Sequence, residues 1–131
     1  QSRRPADWVT YESPFDTEHA IYAAGQSCGV ILFDCITVYL SNLVCAKSVA
    51  ELAKEDALYT EAKANIQALI DTVKAANATV IFVTNEVGAG IVPENHLARI
   101  YRDLSGSVNQ QLARASDEVY AVICGIPMQL K

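Results

Sequence analysis

Residues 80–95 read VIFVTNEVGAGIVPEN. Val80 to Val83 form a short continuous apolar run, as a buried strand does, and the run stops abruptly at Thr84-Asn85-Glu86 before a glycine-bearing loop and Pro93-Glu94-Asn95. A second stretch has the same form: Gly29-Val30-Ile31-Leu32-Phe33 is a strand, and Asp34 stands at its C-terminal end. Helical spacing surrounds both. Ile36, Leu40, Leu43 and Val44 recur at that period, as do Leu58, Ala62, Ile66, Leu69, Ile70 and Val73, with Asn77 expected to end this second helix. Beyond the glycine loop, Pro93 is expected to start a helix carrying Leu97, Ile100, Tyr101, Leu104, Val108 and Leu112 on its apolar face. Glu118 to Cys124 reads as a last strand. Continuous apolar strands separated by helices predict an α/β fold, a parallel sheet covered on both faces. Residues 1–20, which contain Arg3-Arg4-Pro5 and Ser13-Pro14, read as an extended arm.

The composition narrows the function classes. A chain of 131 residues fits one domain and can bury roughly two thirds of its unfolded surface. With 51% hydrophobic residues, 19% charged residues and a formal charge of −5, it is neither disordered nor a basic nucleic-acid binder. Any bound phosphate must be held by a few local cations. The longest apolar run, Val30 to Val44, is interrupted by Asp34, Ser41 and Asn42 and is too short to span a bilayer, so no membrane insertion is expected. Cys28, Cys35, Cys45 and Cys124 show no Cys-x-x-Cys spacing, and three of the four sit in or beside apolar runs. The expectation is reduced, buried thiols in a cytoplasmic protein.

Ligands of parallel sheets gather at the C-terminal strand ends, the position of Asp34 and Glu86. Acids there hold magnesium on nucleotide phosphates, or else cap the next helix or stand solvated. A phosphate cradle is not found in these residues. The pattern G-x-x-x-x-G-K-[ST] is absent, and Lys47-Ser48, the one Lys-Ser pair, follows Cys45-Ala46 in a stretch read as helical. Gly88-Ala89-Gly90 begins like a dinucleotide fingerprint, but Pro93 stands where the third glycine belongs.

Particular residues go further than periodicity. Arg3-Arg4-Pro5-Ala6-Asp7-Trp8, Ile31-Leu32-Phe33-Asp34-Cys35-Ile36-Thr37, Leu40-Ser41-Asn42-Leu43, the run VTNEVGAGIVPENHLARIYRDLSGSVNQQLA from Val83 to Ala113, and the ending Gly125-Ile126-Pro127-Met128-Gln129-Leu130-Lys131 closely resemble the bifunctional adenosylcobinamide kinase / adenosylcobinamide-phosphate guanylyltransferase family of cobalamin biosynthesis. The resemblance runs from Arg3 to Lys131 and weakens at 14–28 and 46–78.

The resemblance implies a RecA-like P-loop NTPase fold with a largely parallel sheet and two reactions. A kinase phosphorylates the aminopropanol hydroxyl of adenosylcobinamide; a transferase then moves GMP from GTP, through a guanylylated histidine, onto that phosphate to give adenosylcobinamide-GDP. It implies GTP, ATP and Mg2+, cytoplasmic location, and a homotrimer with sites near subunit boundaries. The family's first strand and P-loop are not among these residues, so residues 1–131 are expected to form a single α/β domain, the C-terminal part of the kinase/guanylyltransferase domain within a longer chain. The GMP-carrying histidine is expected immediately before Gln1. His19, in a variable polar segment, and His96, at a helix start, do not match it.

Residue by residue, Gln1, Ser2, Arg3 and Arg4 correspond to the GTP-contacting stretch after that histidine, Glu12 to a further GTP-contacting acid, and Asp34 to the nucleotide-contacting acid after the next strand. Asp34 either aids magnesium or accepts from the guanine edge. Asn85 and Glu86 are candidates for active-site support. Arg99, Arg102 and Asn109, near the polar side of the helix after the glycine loop, face the corrinoid or a neighbouring subunit, or serve structure. The rival reading is a non-catalytic α/β nucleotide-binding or assembly module that keeps the nucleotide-side loops.

Overall fold

The computed structural model describes residues 4–131; Gln1, Ser2 and Arg3, three of the expected GTP contacts, lie outside the described residues. It is a mixed α/β structure with a small parallel sheet. Strand β1 (Val30–Asp34) pairs in parallel with β2 (Thr79–Val83), Val30 opposite Thr79 and Asp34 opposite Val83. Helices α1 (Thr17–Gly25), α2 (Ile36–Cys45), α3 (Val49–Leu52) and α4 (Glu55–Ala75) precede β2. Helix α5 (His96–Ala115) follows it and leads into β3 (Tyr120–Ile123) and β4 (Ile126–Gln129).

One face of the parallel pair carries the core. Alternation along each strand turns Ile31, Phe33 and Phe82 onto the helices, where they pack against buried Ile36, Leu40, Ile66, Leu69, Val108 and Leu112. Phe33 is the hinge of this contact: its ring meets Phe82 at 5.5 Å and Tyr39 edge-on at 6.1 Å. Each fully buried aliphatic side chain contributes about 1.5–3 kcal/mol, and Ile36, Leu40, Ile66, Leu69 and Leu104 are wholly shielded from water. The other face differs from the sequence expectation. Val30, Leu32, Ile81 and Val83 are exposed, so among the described residues the sheet is covered on one face only.

Several local expectations are corrected. The arm ends before Thr17, because residues 17–25 coil into α1, burying Thr17, Ile21 and Ala24 on one stripe. Lys47 and Ser48 are not within a helix: Ser48 caps α3 in a reciprocal capping box with Glu51. Helix α4 stops at Ala75, ahead of Asn77. Pro93 precedes α5 without starting it, since Asn95 is the cap and its Oδ1 accepts from the Ala98 N–H at 3.0 Å.

The last strand is half of an antiparallel hairpin, a separate two-stranded sheet. Its two-residue loop, Cys124-Gly125, has φ of 53° and 78°, the doubly left-handed form that matches hairpin twist. The thiols are not buried either: Cys28 and Cys35 are half-buried, and Cys45 and Cys124 are exposed. In α2 the buried stripe runs through Ile36, Leu40 and Val44, which turns the next residue, Cys45, outward.

Candidate functional site

The C-terminal ends of β1 and β2 bring Asp34 and the Thr84-Asn85-Glu86 segment to the same edge of the sheet. The surroundings of the two differ. Asp34 lies on a cavity of about 780 Å³ between the arm, β1, α1 and the first turns of α2. Arg4 and Glu12 line that same cavity, so three expected nucleotide contacts share one concavity within the size range of small-molecule sites, about 300–1,000 Å³.

The arm is shaped by its own hydrogen bonds. The Trp8 N–H donates to the Pro5 carbonyl at 3.2 Å, closing a turn, and the Arg4 guanidinium reaches the Thr10 hydroxyl at 3.5 Å. Farther on, the Asn42 side chain on α2 donates to the Pro14 carbonyl at 3.4 Å and ties the arm to the helix. Arg4, Glu12 and Asp34 are all exposed. Among the described residues none of the three has an ion-pair partner, and the two carboxylates accept no hydrogen bond. Their bonding capacity faces the cavity. A guanidinium turned this way suits a phosphate, and a free carboxylate suits either a cation or a donor edge of a base.

The segment after β2 is built in the opposite way. The Asn85 N–H donates to Thr37 Oγ1 at 3.1 Å, and the Thr37 carbonyl accepts from the Tyr101 hydroxyl at 2.7 Å, so one threonine of α2 fastens both β2 and α5. Burial pushes the Tyr101 phenol above its ordinary pKa, which keeps this donor protonated. Asn109 takes three contacts: Thr84 Oγ1 donates to its Oδ1 at 2.7 Å, and its Nδ2 donates to the Asn85 carbonyl at 3.1 Å and to Glu86 Oε1 at 2.9 Å. Arg102 donates to the Gly88 carbonyl at 3.0 Å, and Arg99 to the carbonyls of Pro93 and Glu94. Positions 95, 99, 102 and 109 fall on one helical stripe, from which Arg99, Arg102 and Asn109 reach the loop, while Arg102 Nε stays buried without a partner among the described residues.

Residues 1–130 match the family described as cobinamide kinase / cobinamide phosphate guanyltransferase. The chain belongs to this family. It is 40% identical to the bifunctional adenosylcobalamin biosynthesis protein CobU of Escherichia coli, across 98% of this chain and 72% of that protein. It is 42% identical to CobU of Salmonella typhimurium over the same shares, and 30% identical to CobP of Pseudomonas aeruginosa over all of this chain and 70% of that protein.

Membership in the kinase/guanyltransferase family gives the cavity a nucleotide-using context. Both histidines stand apart from it. His96 Nε2 is 3.2 Å from Glu55 Oε1 at the start of α5, and exposed His19 does not line the cavity. Sequence reasoning gave Thr37 and Asn42 no role beyond the family motifs, although they fasten the loop after β2 and the arm to α2, because the partners of their side chains are backbone groups that no motif displays. It also gave Trp8 no role beyond the family motif, although Trp8 lines the cavity.

Proposed function

We propose that this chain acts in both reactions of its family: phosphorylation of adenosylcobinamide, and transfer of GMP from GTP to adenosylcobinamide phosphate to give adenosylcobinamide-GDP. The observation that carries the reading is the convergence of Arg4, Glu12 and Asp34 on one cavity, in a chain matched by the family from residue 1 to residue 130. The transferase step needs a neutral imidazole attacking the α-phosphate with pyrophosphate leaving before GMP passes to the acceptor phosphate, a cation against the developing charge, and a group that recognises guanine. Arg4 supplies a cation. Gln1, Ser2 and Arg3 complete the GTP contacts in this reading, and Glu12 and Asp34 offer carboxylates to the base edge or to magnesium.

Magnesium fits the donor set in a limited way. Among the described residues no three His, Cys, Asp or Glu side chains gather as a metal cage. A single strand-end carboxylate is nevertheless the usual protein share when nucleotide phosphates and waters supply the remaining ligands. Asp34 would be that carboxylate, and the ion would neutralise phosphate charge. Asn85 and Glu86 support the site from the neighbouring strand, with Glu86 held by Asn109. ATP serves the kinase reaction in this account, and the assembly is a homotrimer in the cytoplasm.

The finer fold is a RecA-like P-loop domain of which residues 1–131 are the C-terminal part. Two observations support it. Val30, Leu32, Ile81 and Val83 leave one face of the β1–β2 pair apolar and exposed, and the relatives are longer than the stretch they share with this chain. Titration with labelled GTP, with and without magnesium, tests the function. Saturable binding that magnesium strengthens, and that Asp34→Asn weakens, is expected. No binding in either condition would overturn the nucleotide reading and favour a non-catalytic assembly module.

A further inference from the structure

Trp8 is the one tryptophan of the chain, and 53% of it is exposed. An indole is normally placed where much of its large apolar surface is covered. Here it is fixed instead by the Pro5–Trp8 turn on the wall of the cavity that Arg4, Glu12 and Asp34 line. The same turn sets Arg4 just before Pro5, so one short segment brings an arginine and an indole to a common space.

We infer that Trp8 is the platform on which the base of the bound nucleotide stacks, with Arg4 on the phosphate side and the Glu12 carboxylate at the base edge. This rests on the nucleotide reading of the cavity and adds to it a positioning residue. Every base has a π-face, so the indole supplies affinity without choosing among bases. Choice comes from the edge: guanine presents adjacent N–H donors that one carboxylate can accept together, whereas adenine offers an acceptor nitrogen beside its amino group. Glu12 has no competing hydrogen-bond donor among the described residues. Aromatic platform and acidic edge together describe a guanine nucleotide bound by its base as well as its phosphates.

Trp8→Ala and Trp8→Phe, each checked for an unchanged circular dichroism spectrum, separate the possibilities by calorimetric titration with GTP and with inorganic triphosphate. The expected result is a loss of GTP affinity of roughly one to two orders of magnitude in Trp8→Ala, most of it restored in Trp8→Phe, with inorganic triphosphate binding unchanged in both. In the wild-type chain, GTP should also shift tryptophan emission, which reports on this residue alone. Equal GTP affinity in Trp8→Ala and wild type would overturn the stacking role and leave the nucleotide site standing. Equal losses for GTP and inorganic triphosphate would also overturn it, by showing that the substitution disturbs the arm. Failure of the wild-type chain to bind GTP would remove the nucleotide reading itself.

Discussion

The loop after β2 and the arm that faces the end of β1 lie at the same edge of the parallel sheet, and they use their polar residues in opposite ways. After β2, the side chains of Asn109, Arg102 and Arg99 are occupied by the loop's own carbonyls and by Glu86. Around the end of β1, Arg4, Glu12 and Asp34 face a cavity with no ion-pair partner among the described residues. Polar groups satisfied internally hold a shape, while exposed groups with free capacity on a concave wall await a ligand. In the proposed reading the richer motif, Thr84 to Asn95, is the scaffold, and the plainer Arg4 and Asp34 are the contacts.

The largest test acts on the scaffold's foundation. Leu104 is wholly buried under α5 beside Val44 and Ala62, so Leu104→Ala should cost about 2–5 kcal/mol in chemical denaturation. GTP affinity of the fraction that remains folded should stay near wild type; a large loss there would join the two regions that this account separates. Asn109→Ala removes three contacts to the 84–86 segment and should lower stability by about 1–3 kcal/mol, again with little change in GTP affinity.

Arg4→Ala should do the reverse. Losing a charge-assisted contact of about 1.5–3 kcal/mol weakens GTP binding by roughly ten- to a hundredfold, and the denaturation midpoint should not move, because among the described residues the one hydrogen bond of the Arg4 side chain is that to Thr10 at 3.5 Å. A smaller gain is expected at Gly106, in the middle of α5, where an added Cβ meets nothing within 4 Å. Gly106→Ala should raise stability by up to about 1 kcal/mol; destabilisation would show that the exposed side of α5 is covered by something else.

The smallest effect concerns pH. The Ser48 hydroxyl and N–H hold the Glu51 carboxyl below its ordinary pKa of 4.5. A group depressed in the folded state contributes stability that is present above about pH 4.5 and lost as pH falls through the folded value. Glu51→Gln should flatten the acid side of the stability profile slightly, while leaving GTP affinity at neutral pH unchanged.

What the sequence made legible follows from the length and contrast of its patterns. Helices α4 and α5 carry apolar stripes over 21 and 20 residues, and β1 and β2 are uninterrupted apolar runs, so each was readable. Helix α1 was not, because its nine residues bury only Thr17, Ile21 and Ala24 and include two further alanines and a glycine. The hairpin was hidden by an unusual Cys124-Gly125 turn and by Pro127, which weakens a strand reading at the position opposite Val122. The apolar character of both faces of β1 and β2 was legible, yet coverage of the second face was not. Strand-end position identified Asp34 and Glu86 alike, and it was the bonds of Asn109 that distinguished them.

Hydrogen–deuterium exchange of the chain with and without magnesium-GTP tests the division between the loop and the arm most directly. The account predicts protection concentrated in residues 4–14 and 34–42, with the exchange of residues 84–95 little changed by the nucleotide. Protection confined to 84–95, with the arm unaffected, would contradict it.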